Sequence, residues 1–284
     1  MKKIIVLKLG GSSLQNPGTQ QELTSLVRGY RAQGFDVVVV HGGGPAINQE
    51  LTARGIEWKF INGQRQTTLE MIDVIEDVLA VQINSHLVAT LIAADIPAVG
   101  LSGAQGQTLL CSQASEELMQ VGKIEAVNTA LIETALTLDG APTPVIAPLG
   151  VDAAGAKYNI NADWAAAKIA MALKAEKLVF LTDQNGILDQ NSQLVQHATP
   201  RLINKMISDG VISGGMYTKV MTMMTALTEG VGQVRVLNAN AASQLLQNEQ
   251  LGTVLHSGSA GVSELTDDQN LAIEGATQWI TKLI

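Results

Sequence analysis

The sequence has little cysteine, few aromatic side chains and an excess of negative charge. Cys111 is its single cysteine, which excludes an internal disulfide and a metal site built from several cysteines. It contains three tryptophans, three tyrosines and three phenylalanines, and its net charge is −8. Nucleic-acid binding needs basic stripes and stacking faces, so this composition argues against such a partner. The lone cysteine suits a reducing cytoplasm.

A long apolar run and a cluster of histidines are also lacking. No apolar run approaches the roughly 18–20 residues of a membrane span. The apolar start of the chain resembles a signal peptide, but Lys8 interrupts it and no cleavage site follows. The histidines, at 41, 86, 197 and 256, are scattered, so no histidine-based zinc site is predicted. We therefore expect a cytoplasmic protein without a membrane partner. Its 284 residues, 46% of them hydrophobic, suffice for one large or two modest domains.

The sequence does contain two glycine runs, each at the end of an apolar segment. Four valines at 37–40 are followed by His41 and three glycines, and such a valine run is typical of a strand buried on both faces of a parallel sheet. The apolar segment 3–9 also ends in two glycines, directly after Lys8. Backbone amides at such junctions bind anions. We predict a phosphate or carboxylate site, although a tight turn explains either run taken alone.

Strand-like and helix-like segments alternate along the chain. Strands are predicted at 3–9, 36–40, 98–101, 109–111, 144–148, 177–182 and 234–237, and helices at 19–33, 45–54, 68–94, 128–138, 162–173, 200–209, 216–229 and 241–247. This rhythm predicts an α/β fold with an open, mostly parallel central sheet sandwiched by helices in three layers. We expect one lobe at 1–175 and a second at 176–255, and leave the tail 256–284 unassigned.

Three further polar segments lie near predicted helix starts. Arg65 follows Asn-Gly-Gln in a loop; its planar guanidinium suits a carboxylate, and a solvated arginine is the alternative. Asn161 is placed to cap a helix that carries Asp163 in its first turn, which ordinary capping also explains. Lys219 lies in the predicted first turn of another helix, where a cation is unfavourable unless it has a partner.

These segments occur in an order that resembles the amino acid kinase family. They are Val-Leu-Lys-Leu-Gly-Gly-Ser ending at Ser12, His-Gly-Gly-Gly-Pro from His41, Asn-Gly-Gln-Arg ending at Arg65, Asn-Ile-Asn-Ala-Asp from Asn159, Thr-Asp-Gln-Asn-Gly-Ile-Leu from Thr182, and Gly-Gly-Met-Tyr-Thr-Lys ending at Lys219. The resemblance extends from about residue 3 to Leu255. No other phosphate-binding motif competes with this resemblance, because neither a Walker-type phosphate loop nor a dinucleotide-binding fingerprint occurs in the sequence.

The resemblance implies an ATP-dependent kinase of a carboxylate. It is strongest to the branch of the family that phosphorylates the γ-carboxylate of N-acetyl-L-glutamate, in arginine biosynthesis. Three positions depart from that branch: Gln105 stands where an acidic residue is common, Gln66 replaces valine, and Ser85 replaces lysine. These departures leave the acyl group open. The alternatives are a kinase of N-succinylglutamate or of an aminoadipate derivative, and a non-catalytic ligand-binding relative.

The resemblance also implies roles for the matched residues. Lys8 and Lys219 would flank the transferred phosphoryl group, and Asp163 would hold both lysines. The substrate and phosphate groups would be bound by Gly10, Gly11, Gly43, Gly44, Arg65 and Asn159. ATP would be bound by Asp183, Gln184, Asn185, Gly186, Ile187, Leu188, Val211, Ile212 and Ser213. Mg²⁺ would be carried by the ATP phosphates, with few or no protein ligands.

A homodimer is expected. The predicted helix at 68–94 has enough apolar positions for both a core and a partner, and the two-fold dimer is the commonest closed assembly. Family members that arginine inhibits carry an extra helix before the first strand. The first predicted strand begins at residue 3 here, so insensitivity to arginine is also expected.

Overall fold

A computed structural model of the protein describes residues 3–61 and 63–256; the unassigned tail after His256 lies outside this part. The strands are β1 (Ile4–Leu9), β2 (Asp36–His41), β3 (Phe60–Ile61), β4 (Gln64–Arg65), β5 (Ala98–Ser102), β6 (Leu109–Gln113), β7 (Gly122–Val127), β8 (Thr143–Ala147), β9 (Leu149–Val151), β10 (Lys157–Asn159), β11 (Lys177–Thr182), β12 (His197–Ala198), β13 (Gln233–Asn238) and β14 (Thr253–Leu255). The α-helices are α1 (Pro17–Ala32), α2 (Gly44–Ala53), α3 (Leu69–Glu76), α4 (Asn84–Ala93), α5 (Ala130–Thr137), α6 (Ala162–Ala172), α7 (Pro200–Ser208) and α8 (Gly214–Thr228).

The central sheet has the strand order β12-β14-β13-β11-β1-β2-β8-β5. Its strands pair in parallel, except that β13 and β14 are antiparallel. The predicted α/β fold with a mostly parallel central sheet is therefore confirmed. Strand β1 lies between β2 and β11, so loops from distant parts of the sequence meet at its carboxyl end, where open α/β sheets bind ligands.

Alternation along β1 explains why helices cover both faces of the sheet. Val6 belongs to one buried hydrophobic cluster together with residues of α6 and α8. Its neighbours Ile5 and Leu7 belong to a second cluster with residues of α1 and α4. Because successive side chains of a strand point to opposite faces, one apolar strand contributes to both cores. The continuous valine run of β2 divides between the clusters in the same way.

Helices α3 and α4 are joined by a π-helical turn, Asp77–Ile83, and form one long helix as predicted. Among the described residues, the stretch Leu69–Ala93 alone has the length and composition of a membrane span, with a hydropathy of 1.2. Core helices of globular proteins pass the same test, and Ile75 and Leu87 of this helix are buried in hydrophobic clusters. Val81 on the other side is 55% exposed.

A second sheet was largely missed by the sequence analysis. It has the order β10-β9-β6-β7, and β6 was the only one of its strands to be predicted. Strands β9 and β10 have only three residues each, and the longer β7 carries no apolar run, so pairing with distant segments decides their conformation. A further prediction was wrong: α8 begins at Gly214, which places Lys219 in its second turn and not in its first.

Candidate active site

Three charged side chains meet at the carboxyl end of β1. The Lys8 ammonium lies 2.7 Å from Oδ1 of Asp163, and the Lys219 ammonium lies 2.7 Å from Oδ2 of the same carboxylate. All three side chains are no more than 15% exposed. One carboxylate thus bridges two lysines that are 211 positions apart in the sequence.

Local structure positions the carboxylate. Asn161 is the N-cap of α6, and its side-chain oxygen accepts from the backbone amides of Asp163 and Trp164. The cap confirms the prediction made for Asn161 and satisfies amides that a helix N-terminus leaves unpaired. It holds Asp163 in the first turn, where the helix dipole favours a negative charge. Behind the site, the Lys219 ammonium lies 5.4 Å from the centre of the Phe180 ring, within the range of a cation–π contact.

The pKa values of Asp163 and Lys8 follow from their burial and from the charges of their neighbours. Burial by itself would raise the pKa of Asp163, but the charges of Lys8 and Lys219 outweigh it, so this pKa lies well below its ordinary value. Burial lowers the pKa of Lys8, Lys219 lowers it further, and the contact with Asp163 works in the opposite direction. The carboxylate therefore stays ionised and keeps the ammonium groups together.

The loops after β1 and β2 touch through bare backbone. A Cβ atom on Gly11 would lie 2.8 Å from the backbone nitrogens of both Gly43 and Gly44, so only glycine fits this position. Within the described chain, the amides of these three glycines donate to no protein acceptor. Gly44 is also the first residue of α2, and a helix N-terminus attracts anions. The predicted anion site thus has free donors.

Gly10 differs from its neighbour. Its amide donates to the carbonyl of Leu181 at 3.0 Å, which extends the pairing of β1 with β11. A donor already used in this way is not free for phosphate. We therefore leave Gly10 out of the anion-binding set that the sequence suggested, and assign its position to the sheet.

Arg65 lies on β4 with its guanidinium beside two aromatic rings, which contact each other edge to face. The guanidinium carbon is 5.3 Å from the centre of the Trp58 ring and 4.8 Å from that of Phe60. Nη2 donates to the carbonyl of Gly44 at 3.2 Å, whereas Nη1 is buried without a partner among the described residues. Burial lowers the pKa of Arg65 to about 10, so the group stays cationic. A buried cationic donor without a protein acceptor suits an anion.

A cavity of about 300 Å³ connects these groups. Its lining includes Lys8, Gly11, Gly43, Gly44, Arg65, Asn159 and Asp163. Asn159 is fixed because its Nδ2 donates to Thr67 Oγ1 at 3.1 Å, across the edge of the second sheet. The structure therefore brings the residues predicted for substrate binding into one cavity with the Lys8–Asp163 pair.

The residues predicted for ATP binding lie outside this cavity. Asp183, Gln184 and Asn185 follow β11 and are exposed, and the Asn238 side chain fixes their loop by donating to the Asp183 carbonyl and to Asn185 Oδ1. Ile187 and Ile212 belong to one hydrophobic cluster, and Val211 packs against it. Gly186 is buried, whereas Leu188 and Ser213 are exposed. Asp183 lies close enough to Lys8 to affect its pKa, which connects this surface to the charged centre.

Sequence reasoning missed several residues that shape the site. Trp58 and Phe60 were assigned no role, although their rings contact the Arg65 guanidinium. His41 was noted only as a neighbour of the glycines, yet it is fully buried and contacts the Gly42 carbonyl. A polar residue at the end of a run of valines was the available signal, because such a side chain needs a buried partner.

Known proteins resemble this chain over most of its length. The sequence model of the amino acid kinase family matches residues 3–238. An acetylglutamate kinase of Geobacillus kaustophilus is 41% identical over 239 residues, which cover 84% of this chain and 91% of the relative. An acetylglutamate kinase of Bacillus licheniformis is 38% identical over 264 residues, which cover 93% of this chain and 100% of the relative.

Solved structures support the same fold. N-acetylglutamate synthase from Neisseria gonorrhoeae, complexed with coenzyme A and N-acetyl-glutamate, matches with a TM-score of 0.78 and 23% identity, over 91% of this chain and 60% of that one. Carbamate kinase from Giardia lamblia, bound to AMP-PNP, matches with a TM-score of 0.65 and 14% identity, over 90% and 99% of the two chains. At these identities the likeness concerns the fold alone.

We predict that replacing Asp163 by alanine lowers the free energy of unfolding by about 3–5 kcal/mol near pH 7, because two buried ammonium groups lose their shared counter-ion. Removing the carboxylate also removes the contact that raises the pKa of Lys8. In the variant, Lys8 therefore loses its proton more readily in the folded than in the unfolded chain. The stability deficit should narrow as the pH rises from about 7 to about 9.5.

Urea unfolding at several pH values measures this deficit. The control is Lys205→Ala, which breaks an exposed ion pair with Asp209 and should cost at most about 1 kcal/mol. A loss for Asp163→Ala no larger than that of the control, or one that does not change with pH, would contradict the ion-pair argument.

Proposed function

The chain belongs to the amino acid kinase family, and we propose that it is an acetylglutamate kinase. It transfers the γ-phosphoryl group of ATP to the γ-carboxylate of N-acetyl-L-glutamate and forms N-acetyl-L-glutamyl 5-phosphate, a step in arginine biosynthesis. One observation carries the proposal beyond the likeness to relatives. A single cavity joins Arg65, whose Nη1 lacks an acceptor, to Lys8 and Asp163, and Asp163 also contacts Lys219.

Substrate binding begins with the α-carboxylate. The unpaired Nη1 of Arg65 is the donor for one carboxylate oxygen, and cation–π contacts with the Trp58 and Phe60 rings help to position the guanidinium. Asn159, which Thr67 fixes, lines the same cavity and supplies an amide for the substrate's N-acyl group. Because this end of the substrate is fixed, its γ-carboxylate extends toward Lys8 and the amides of Gly11, Gly43 and Gly44.

Phosphoryl transfer brings two anions together, so catalysis depends on positioning and on charge neutralisation. Lys8 and Lys219 supply two positive charges from opposite parts of the chain, and Asp163 keeps both at a fixed separation. A γ-carboxylate is already ionised at neutral pH, so the reaction requires no general base. Asp163 is therefore an organiser, in agreement with its depressed pKa.

The ATP triphosphate would reach the free amides of Gly11 and Gly44 and the two lysines, and its nucleoside would lie on the surface formed by residues 183–188 and 211–213. Mg²⁺, when present, would neutralise phosphate charge. It dehydrates reluctantly and can be held by phosphates and water. Within the part of the chain that the structure describes, no group of three or more histidine, cysteine, aspartate or glutamate side chains could hold a metal.

We assign the amino-acid substrate to residues 1–175 and the nucleotide to residues 176–255. The sheet order supports this division, because strands β11 to β14 all lie on one side of β1, and β2, β5 and β8 lie on the other. We also assign the enzyme to the cytoplasm, as expected for a biosynthetic reaction that uses ATP.

The proposed homodimer uses the exposed side of the long helix. Val81, Ser85, Ala89 and Ile92 follow one another at intervals of three or four residues, and all are exposed. Residues at this spacing share one helix face. A face of small and apolar side chains allows close approach of the same helix from a second copy around a two-fold axis.

The function is tested by ADP release in a coupled assay, with N-acetyl-L-glutamate, N-succinyl-L-glutamate and N-acetyl-L-aminoadipate as substrates. We expect the highest kcat/KM for the first. A higher kcat/KM for another acylated amino acid would show that the substrate is not N-acetyl-L-glutamate.

Lys8→Ala and Lys219→Ala should each lower kcat by about 10²–10³, through loss of charge stabilisation in the transition state. Lys205→Ala is the exposed-lysine control. A near wild-type kcat in either variant would show that its lysine has no catalytic role.

Replacing Arg65 by lysine should raise KM for N-acetyl-L-glutamate at least about tenfold and leave KM for ATP nearly unchanged. Lysine keeps the positive charge but loses the planar pair of donors and the guanidinium contacts with the Trp58 and Phe60 rings. Initial-rate measurements with each substrate varied in turn separate the two constants. An equal rise in both values would place Arg65 on the nucleotide side.

Light scattering tests the dimer. We expect a dimeric mass for the unchanged protein and a monomeric mass for Val81→Glu, because two like charges would face each other across the two-fold axis. The control is Leu138→Glu, which alters another exposed apolar residue, outside this helix. A monomeric unchanged protein, or a dimer that tolerates glutamate at position 81, would refute this interface.

A further inference from the structure

His41 is the last residue of β2 and is fully buried, although none of the roles assigned above requires a histidine. Its Nδ1 atom lies 3.0 Å from the carbonyl oxygen of Gly42. Its Nε2 atom lies 3.2 Å from Nδ2 of Asn84, at the start of α4. Both ring nitrogens thus have buried partners directly beneath the glycine loop that lines the cavity.

The contact of Asn84 with Val145 shows which nitrogen of the His41 ring carries the proton. Asn84 Nδ2 also lies 2.9 Å from the carbonyl oxygen of Val145. A carbonyl can only accept, so this end of the Asn84 side chain is the NH₂ group. The same NH₂ group must donate to Nε2 of His41. The proton of the neutral ring is therefore on Nδ1, which donates to the Gly42 carbonyl.

The charge state of the ring supports this assignment. Burial lowers the pKa of His41 to about 4, the nearby charge of Lys8 lowers it too, and the contact with the Gly42 carbonyl offsets part of the effect. At neutral pH the ring is uncharged and has one N–H group. That single donor is directed at one backbone carbonyl.

Fixing the Gly42 carbonyl also fixes the next amide. In a trans peptide the C=O and N–H bonds point in opposite directions, and no cis peptide occurs in the described chain. The Gly42 carbonyl turns toward His41, inside the protein. The Gly43 N–H therefore turns away from His41, toward the Gly11 loop, where its nitrogen would lie 2.8 Å from a Cβ on Gly11.

We propose that His41 is a positioning residue that holds the Gly42–Gly43 peptide so that the Gly43 N–H points into the anion-binding cavity. This inference rests on the proposed function, because the anion in question is the carboxylate or phosphoryl group of that reaction. Glycines rotate easily, and a loop of three of them needs such an anchor. Donors aimed beforehand at developing charge lower the barrier most.

Two substitutions separate the roles of the ring nitrogens. Asparagine at position 41 can place an amide N–H near the position of Nδ1 and so keep the bond to Gly42. Glutamine reaches instead to the position of Nε2, keeps a partner for Asn84 and loses the bond to Gly42. A role in packing alone would favour glutamine, the closer match in length, whereas the proposed role favours asparagine.

We expect His41→Gln to lower kcat for N-acetyl-L-glutamate by about 10–100-fold with little change in either KM, because the misdirected donor acts mainly in the transition state. His41→Asn should keep at least about ten times more kcat than His41→Gln. Thermal unfolding of both variants monitors folding, and His86→Gln, at an exposed histidine, is the control. Equal kcat values for the two folded variants would overturn the proposal.

A measurement on the unchanged protein is independent of both variants. Two-bond ¹⁵N–¹H correlation spectra of ¹⁵N-histidine-labelled protein distinguish the two neutral forms of the ring. We expect the proton of His41 on Nδ1 at neutral pH, and a proton on Nε2 would overturn the proposal even if a variant fails to fold. Absence of activity toward all acylated amino acids would refute the proposed function and leave this spectroscopic test of the His41–Gly42 bond intact.

Discussion

The shared carboxylate of Asp163 is the interaction on which the candidate site depends. Lys8 and Lys219 come from the first strand and from a helix near the end of the described chain, and each lies 2.7 Å from one oxygen of the same group. Two ammonium groups this deeply buried would repel each other without it. The fold brings the three elements together because β1 lies centrally, between β2 and β11, with α6 packed against it. The charged centre and the strand order are therefore parts of one arrangement.

The rest of the site is built largely from backbone. Because the net charge is −8, the proposed anion binding depends on local groups: free amides at the ends of two strands, the start of α2, and a few cations held in place by neighbours. Arg65 illustrates the cost and the use of such a group. Its burial beside the Trp58 and Phe60 rings and the missing acceptor of Nη1 are unfavourable without a ligand, and they suit the carboxylate of the proposed substrate.

Much of the fold could be predicted from the sequence, because its strongest signals are local. The valine run of β2, the alternation of strand and helix patterns and the cap at Asn161 all depend on neighbouring residues. The second sheet could not be predicted, since short strands such as β9 and β10 are defined by pairing. For the site, the predicted proximity of Lys8, Asp163 and Lys219 is confirmed as geometry, and their catalytic roles stay predictions. The amide of Gly10 is bound to Leu181, which only the sheet register decides.

By itself, the sequence determined the class of fold, the two glycine junctions and the set of charged residues around them, because periodicity, capping and chain flexibility act over a few residues. The tertiary structure alone decided which donors are free and which are used. Gly11 has a free amide and Gly10 has not, Nη1 of Arg65 lacks an acceptor, and the proton of His41 is assigned by an asparagine 43 positions away. Hydrogen bonds between distant segments exist only once the chain has folded, and so no local pattern could specify them.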